Sequence, residues 1–156
     1  MGFDPNIWYE NYIPPRRITS IDDMPEGVIG FVYRITYVDS MRYIGKKNLY
    51  SIKTKKALQS GKRRLNTIRR INRIVDHHIQ IYDVLEIESN WKTYQGSHKE
   101  AKIRIPQFKE ILEYAYSNLQ LTYLEAKWLF SEGVLEREDY INDNILGKFY
   151  RNVNNT

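Results

Sequence analysis

Residues 30–47 read GFVYRITYVDSMRYIGKK. Phe31, Val32, Tyr33 and Ile35 form one apolar and aromatic run. Tyr43 and Ile44 belong to a second, and Asp39-Ser40 between them has turn chemistry. The stretch therefore predicts two short strands. Tyr33 closes the first run, and another tyrosine opens the triplet Tyr43-Ile44-Gly45. Gly45 lets another group come close to the backbone, and Lys46 and Lys47 follow at once. An ordinary hairpin with core-packed tyrosines has the same pattern, because strands are rich in tyrosine. The rest of the chain has to separate the two.

At 156 residues the chain can build one domain with a real core, and is short for two. It has no cysteine, which excludes a disulfide framework, a thiolate metal site and a cysteine nucleophile. No stretch approaches a membrane span, and the N-terminus carries Asp4 and Glu10 in place of a signal-peptide run. A soluble intracellular protein with no membrane partner is expected. Net charge is only +5, but it is unevenly spread. No acidic residue falls between Asp39 and Asp76, whereas 12 of the 24 basic residues do. The remainder holds 12 basic against 19 acidic residues, a net of −7. A basic block on a mildly acidic body is a footprint for a polyanion. A solvated helix face has the same composition.

Within that block, Leu65, Ile68, Ile71, Ile74, Val75 and Ile79 recur at roughly helical spacing. Arg63, Arg64, Arg69, Arg70 and Arg73 lie between them. The pattern predicts a basic amphipathic helix over residues 62–80 that lays guanidinium groups along a phosphate backbone, with Lys46 and Lys53 as further DNA contacts. Residues 1–27 read as an extended entry segment punctuated by Pro14-Pro15 and Pro25, with Trp8, Tyr9, Tyr12 and Ile13 available to pack it down. Residues 81–88 fit either a short strand or the end of the basic helix. Ser97 with Glu100 forms a capping box and predicts a helix from about His98 to before Pro106. Thr122 with Glu125 forms another, opening a helix whose apolar face is Leu124, Trp128 and Leu129. Residues 152–156 form a polar tail.

Taken in order, Phe31-Val32-Tyr33, Tyr43-Ile44-Gly45, a helix with basic residues, a glutamate on a later helix and Tyr140-Ile141-Asn142 resemble the GIY-YIG nuclease family. In that family two tyrosines on a hairpin face one active site. The segment Trp91-x-x-Tyr94-x-Gly96-Ser97 and the run from Tyr123 to Asn142 look like free-standing phage-type members. The resemblance covers residues 28–151 and treats 48–90 as a basic, partly helical insertion. It implies an α/β fold in which a small central antiparallel or mixed sheet is flanked by helices. Residues 108–117 fit a helical stripe and a strand equally well, and the resemblance makes them the central strand. One departure is that Gly30 stands one place early in the first motif.

The activity implied is metal-dependent endonucleolytic cleavage of DNA, one strand per active site, with a homodimer on DNA or two sequential nicks for both strands. A phage homing or host-DNA-degrading role goes with it. Carried over by position, Tyr33 would be the general base or its relay. A phenol near pKa ~10 is a poor base at neutral pH, so Arg42, Lys46 and Lys47 would have to lower it. Tyr43 would orient the water or contact the phosphate. Glu125 would be the one protein ligand of a magnesium or manganese ion, which suits a metal that keeps its waters. A glutamate closing a cap with Thr122 would instead point away from a cleft. Asn142 would hold the site together, with Asn144 as the fallback. The family's phosphate-clamping arginine has no unique counterpart: His98 or Lys102 could take its place, or Arg63, Arg64 or Arg69 of the basic helix. Two other readings use different residues. His77-His78 with Asn90 hints at a His-Asn-His metal nuclease. A non-catalytic binding module would stack bases on Tyr37, Tyr43, Tyr50 and Tyr94.

Overall fold

The computed structural model describes residues 2–56 and 82–151. The basic helix expected over 62–80, with Arg63, Arg64, Arg69, Arg70 and Arg73, lies outside the described residues, as do His77-His78 and the tail 152–156. Two compact units divide the chain: Met1–Leu49 with Ser89–Thr156, and Tyr50–Glu88.

In the larger unit, the segment read as an extended entry contributes two strands, β1 (Trp8–Glu10) and β2 (Arg16–Ile18). Trp8 and Tyr9 are buried, while Tyr12 and Ile13 stay exposed at the turn between the strands. The hairpin follows as β3 (Gly30–Tyr37) and β4 (Arg42–Asn48), antiparallel, with Tyr33 opposite Gly45 and Ile35 opposite Tyr43. At its turn Ser40 takes the left-handed conformation and Asp39 Oδ1 accepts from the Met41 amide. In the smaller unit, β5 (Tyr50–Lys56) and β6 (Tyr82–Glu88) form an antiparallel ribbon whose register sets Lys55 against Asp83. Residues 82–88 are therefore strand.

After a loop come the four-residue helix α1 (Lys99–Lys102), the long strand β7 (Pro106–Ala115) and helix α2 (Asn118–Ser131). A small ribbon, β8 (Asn144–Ile145) with β9 (Phe149–Tyr150), closes the described chain. The sheet order is β2-β1-β7-β3-β4, with β1 parallel to β7 and every other pair antiparallel. This is the mixed α/β sheet the resemblance implies, with residues 106–115 as its central strand.

Strand alternation splits the core into two layers. Val32, Ile44 and Ala115 pack with Leu121, Leu124 and Leu129 of α2 and with Tyr140 and Ile145 beyond it. Phe31 and Tyr33 point the opposite way into an aromatic layer, each 5.1–5.2 Å from the Trp8 ring, with Trp91 and Tyr94 closing it. Burying each large ring contributes roughly 1.5–3 kcal/mol. The two layers sandwich β3, which holds the hairpin rigid where the site is built.

Candidate active site

β4 is the last strand of its sheet, and its outer edge is closed by the C-terminal segment. The amide of Arg42 donates to Asp139 O (2.8 Å), and that of Ile141 donates to Arg42 O (2.9 Å). Asn142 continues the pairing with its side chain. Its Oδ1 accepts from the Ile44 amide (3.0 Å) and its Nδ2 donates to Ile44 O (2.8 Å), so one carboxamide imitates a strand partner. Arg151, which the sequence reading did not single out, fixes this segment by donating to the carbonyls of Arg137, Tyr140 and Asn142.

Along that edge lies a polar cavity of about 320 Å³. Tyr43, His98, Glu125 and Asn142 all line it, with Ser97 and Asp143. Four of the residues expected from sequence thus converge from β4, α1, α2 and the C-terminal segment. Two further candidates in the same unit, Lys47 and Lys102, do not line it. Lys47 donates to Asn90 Oδ1 (2.7 Å) and lies 4.0 Å from the Tyr94 ring centroid. Lys102 is solvent-exposed on α1.

Both capping boxes are overturned, and the reason bears on the site. α2 begins one turn earlier than expected, because Ser117 Oγ accepts from the Gln120 amide (3.1 Å). Thr122 and Glu125 are therefore inside the helix. Thr122 Oγ1 accepts from Lys46 Nζ (2.8 Å), and Glu125 faces the cavity free of cap duty. At α1 the cap is His98, whose Nδ1 accepts from the Glu100 amide (3.0 Å). Ser97 instead meets the Tyr43 hydroxyl at 3.3 Å. Glu100 pairs with Arg104, which Asp39 also holds, so that guanidinium is engaged away from the cavity. With an amide donating to Nδ1, the His98 proton sits on Nε2, where Asp143 Oδ2 accepts it at 3.0 Å.

Electrostatics correct one further expectation. The Tyr33 phenol is wholly buried and is pushed well above its ordinary value by desolvation, with Tyr43 and Tyr94 adding to the effect. Lys46 and Lys47, expected to lower it, are engaged elsewhere. Strand alternation turns Lys46 to the α2 face, and the Lys47 ammonium is engaged with Asn90 and the Tyr94 ring. Tyr43 is also raised by burial, partly offset by its bond to Ser97. Both phenols are protonated at neutral pH. Burial raises the Glu125 carboxyl, and the Lys46 ammonium and a hydrogen bond from the Lys46 backbone oppose the shift. His98 holds the Asp143 carboxyl below the usual range. Among the described residues no three His, Asp or Glu side chains converge as a metal cage, so an ion here would rest on Glu125 alone among the family's ligands.

A hairpin carrying two tyrosines, whose Tyr43 lines one cavity with a helix glutamate and an edge-closing asparagine, holds the landmarks that the sequence order suggested. No curated protein and no solved structure matches the chain. The family model described as "Putative endonuclease segE, GIY-YIG domain" matches residues 15–70 and 80–145. With both tyrosines, Glu125 and Asn142 inside the matched residues, the chain belongs to the GIY-YIG family of phosphodiester-cleaving endonucleases.

Proposed function

We propose that the chain is a divalent-metal-dependent DNA endonuclease whose cleavage centre is the cavity between Tyr43 and Glu125. The observation that supports this most is their convergence: a phenol on β4 and a desolvated carboxylate on α2 line one polar cavity with His98 and Asn142. A bound magnesium or manganese ion would be held by Glu125 and would supply charge neutralisation at the phosphoryl oxygens. The remaining steps fall to the chain's own groups. Tyr43, protonated and held by Ser97, orients the attacking water through its hydroxyl. Tyr33, too buried to meet solvent, is not the base; it fixes the Tyr43 ring from 6.2 Å behind it. His98, held between the Glu100 amide and Asp143, is the polar group at the cavity wall that a phosphate would meet. Asn142 keeps β4 and the C-terminal segment in register. The basic residues from Lys53 to Arg73 supply a salt-dependent affinity. One such centre cuts one strand, so two-strand cleavage takes a second copy or a second nick.

Cleavage of supercoiled plasmid with magnesium and with EDTA tests this, alongside Glu125→Ala and Tyr43→Phe. Metal-dependent nicking that disappears in Glu125→Ala and falls at least tenfold in Tyr43→Phe is expected. Parental rates in folded Glu125→Ala would remove the carboxylate from the mechanism. DNA binding with no cleavage by the unmodified chain would replace catalysis with the binding-module reading.

A further inference from the structure

Lys109 stands in the middle of the central strand β7 and is 1% exposed. A buried ammonium ordinarily has a carboxylate partner. Its neighbour Glu110, also buried, has one: Arg34 on β3 approaches it at 3.0 and 3.3 Å. Lys109 forms no ion pair among the described residues. Its Nζ donates to two main-chain carbonyls, Lys92 O (3.1 Å) and Tyr94 O (3.0 Å), and lies 4.4 Å from the Trp8 ring centroid. Desolvation lowers its pKa to about 8. An arrangement this costly calls for a reason, and a hydrophobic residue would fill the same space more cheaply.

The reason lies in what those carbonyls belong to. Residues 91–97 form no sheet ladder, yet they bring Tyr94 to 5.9 Å from Tyr33 and Ser97 to the Tyr43 hydroxyl. Gly96, at φ 106°, passes beneath Tyr43, with room for nothing larger beside Ala101 and Tyr37. This stretch is held to the sheet by side chains that grip its carbonyls. Trp8 Nε1 donates to Trp91 O (2.7 Å), Lys109 takes Lys92 O and Tyr94 O, and the Tyr37 hydroxyl donates to Gln95 O (3.2 Å). Lys109 makes two of these four bonds, both to the middle of the stretch.

We infer that Lys109 is a positioning residue for the cleavage centre, its two bonds setting the height at which the 91–97 loop presents Tyr94 and Ser97 to the paired tyrosines. This rests on the nuclease reading above. It acts through the loop and touches no substrate, so its loss should change turnover and leave DNA affinity alone.

Lys109→Met keeps the length of the side chain and removes both donors. It is expected to fold and to bind duplex DNA in EDTA within about twofold of the parent, and to lose at least tenfold in kcat. Amide hydrogen exchange across residues 92–98 should quicken at least tenfold, with β3 and β7 unchanged. Because the chain has no cysteine, Lys109→Cys carries its only thiol. Alkylating that thiol in the unfolded state with bromoethylamine rebuilds an ammonium at the same reach, and bromopropane rebuilds the shape alone. The aminoethyl protein should recover cleavage after refolding and the propyl protein should fold without recovering it. Cleavage within twofold of the parent in folded Lys109→Met overturns the inference. So does failure of both Lys109→Met and the propyl protein to fold, which would make Lys109 a core residue only. If the unmodified chain does not cleave, the nuclease reading fails by itself. Loop exchange then decides about Lys109, and unchanged exchange refutes its role.

Discussion

The Tyr33 hydroxyl lies against the backbone of Gly45: a Cβ on Gly45 would stand 2.5 Å from that oxygen and 2.8 Å from the ring carbon bearing it. The two residues are also register partners across the hairpin. The glycine of the second motif is thus the floor on which the first motif's tyrosine rests. Gly45→Ala must push a wholly buried phenol aside. A destabilisation of about 1–3 kcal/mol is expected in urea unfolding, with cleavage reduced at least tenfold because the paired tyrosines part.

Asn142 is the second point at which a small change should have a large effect. Asn142→Ala removes both hydrogen bonds to Ile44 and leaves a buried edge amide and carbonyl without partners. The cost should be roughly 2–4 kcal/mol, read as a lower midpoint with an unchanged denaturant slope. Asn142→Asp restores the acceptor and turns the donor into a second acceptor facing Ile44 O. It should be no better at neutral pH and should recover partially in acid, where a protonated carboxyl donates again.

Glu125 gives a prediction with two signs. Its carboxyl is raised by burial, so the folded state holds a proton that the unfolded state has already released. Ionising it as pH rises opposes folding, and Glu125→Gln should therefore be more stable than the parent at pH 7. Cleavage should go the other way. Glu125→Gln is expected to lose about a hundredfold or more, and the parental rate should fall with decreasing pH from above the ordinary carboxylate value of 4.5. Thermal unfolding and a pH–rate profile check the two halves separately.

Lys109 shifts stability in the alkaline range. Its pKa is about 8 in the folded chain against 10.5 ordinarily. Between those values the unfolded chain binds more protons, so stability rises with pH there. Relative to Lys109→Met, the parent should gain up to roughly 3 kcal/mol as pH rises from 8 to 10.5, and the difference should level off below about 8. Urea midpoints at pH 7, 9 and 10 measure this directly. A flat difference would mean that the ammonium is better solvated than its burial implies.

The hairpin was legible because alternation, a turn and two tyrosines coincide within 18 residues, all of it local information. β7 was not legible from residues alone. Phe108, Ile111, Leu112 and Ala115 satisfy a helical stripe, and the strand pattern is masked by Lys109 and Glu110, two charges that the sheet buries. Only the order of the family's landmarks decided it. β1 and β2 were hidden for a different cause: three-residue strands carry almost no periodicity, and the partner of β1 lies about a hundred residues away. The capping boxes misled because Ser-x-x-Glu and Thr-x-x-Glu are local signals. Ser97, Thr122 and Glu125 were claimed by Tyr43, Lys46 and the cavity, which no local pattern records. Glu125 was nevertheless in the right place, since its position came from the family order and not from the cap.

The closure of β4 by Asn142 and Arg151 also has a consequence in time. Ribosomes release the hairpin before the segment 139–151, which follows Tyr33 by more than a hundred residues. Until that segment arrives, the cavity lacks a wall and the strand bearing Tyr43 has an open edge. A nascent or prematurely terminated chain therefore carries both tyrosines and Glu125 yet lacks the closed cavity proposed above as the cleavage centre. On the cleavage centre proposed above, activity toward DNA is expected to begin only once Arg151 has been made and docked.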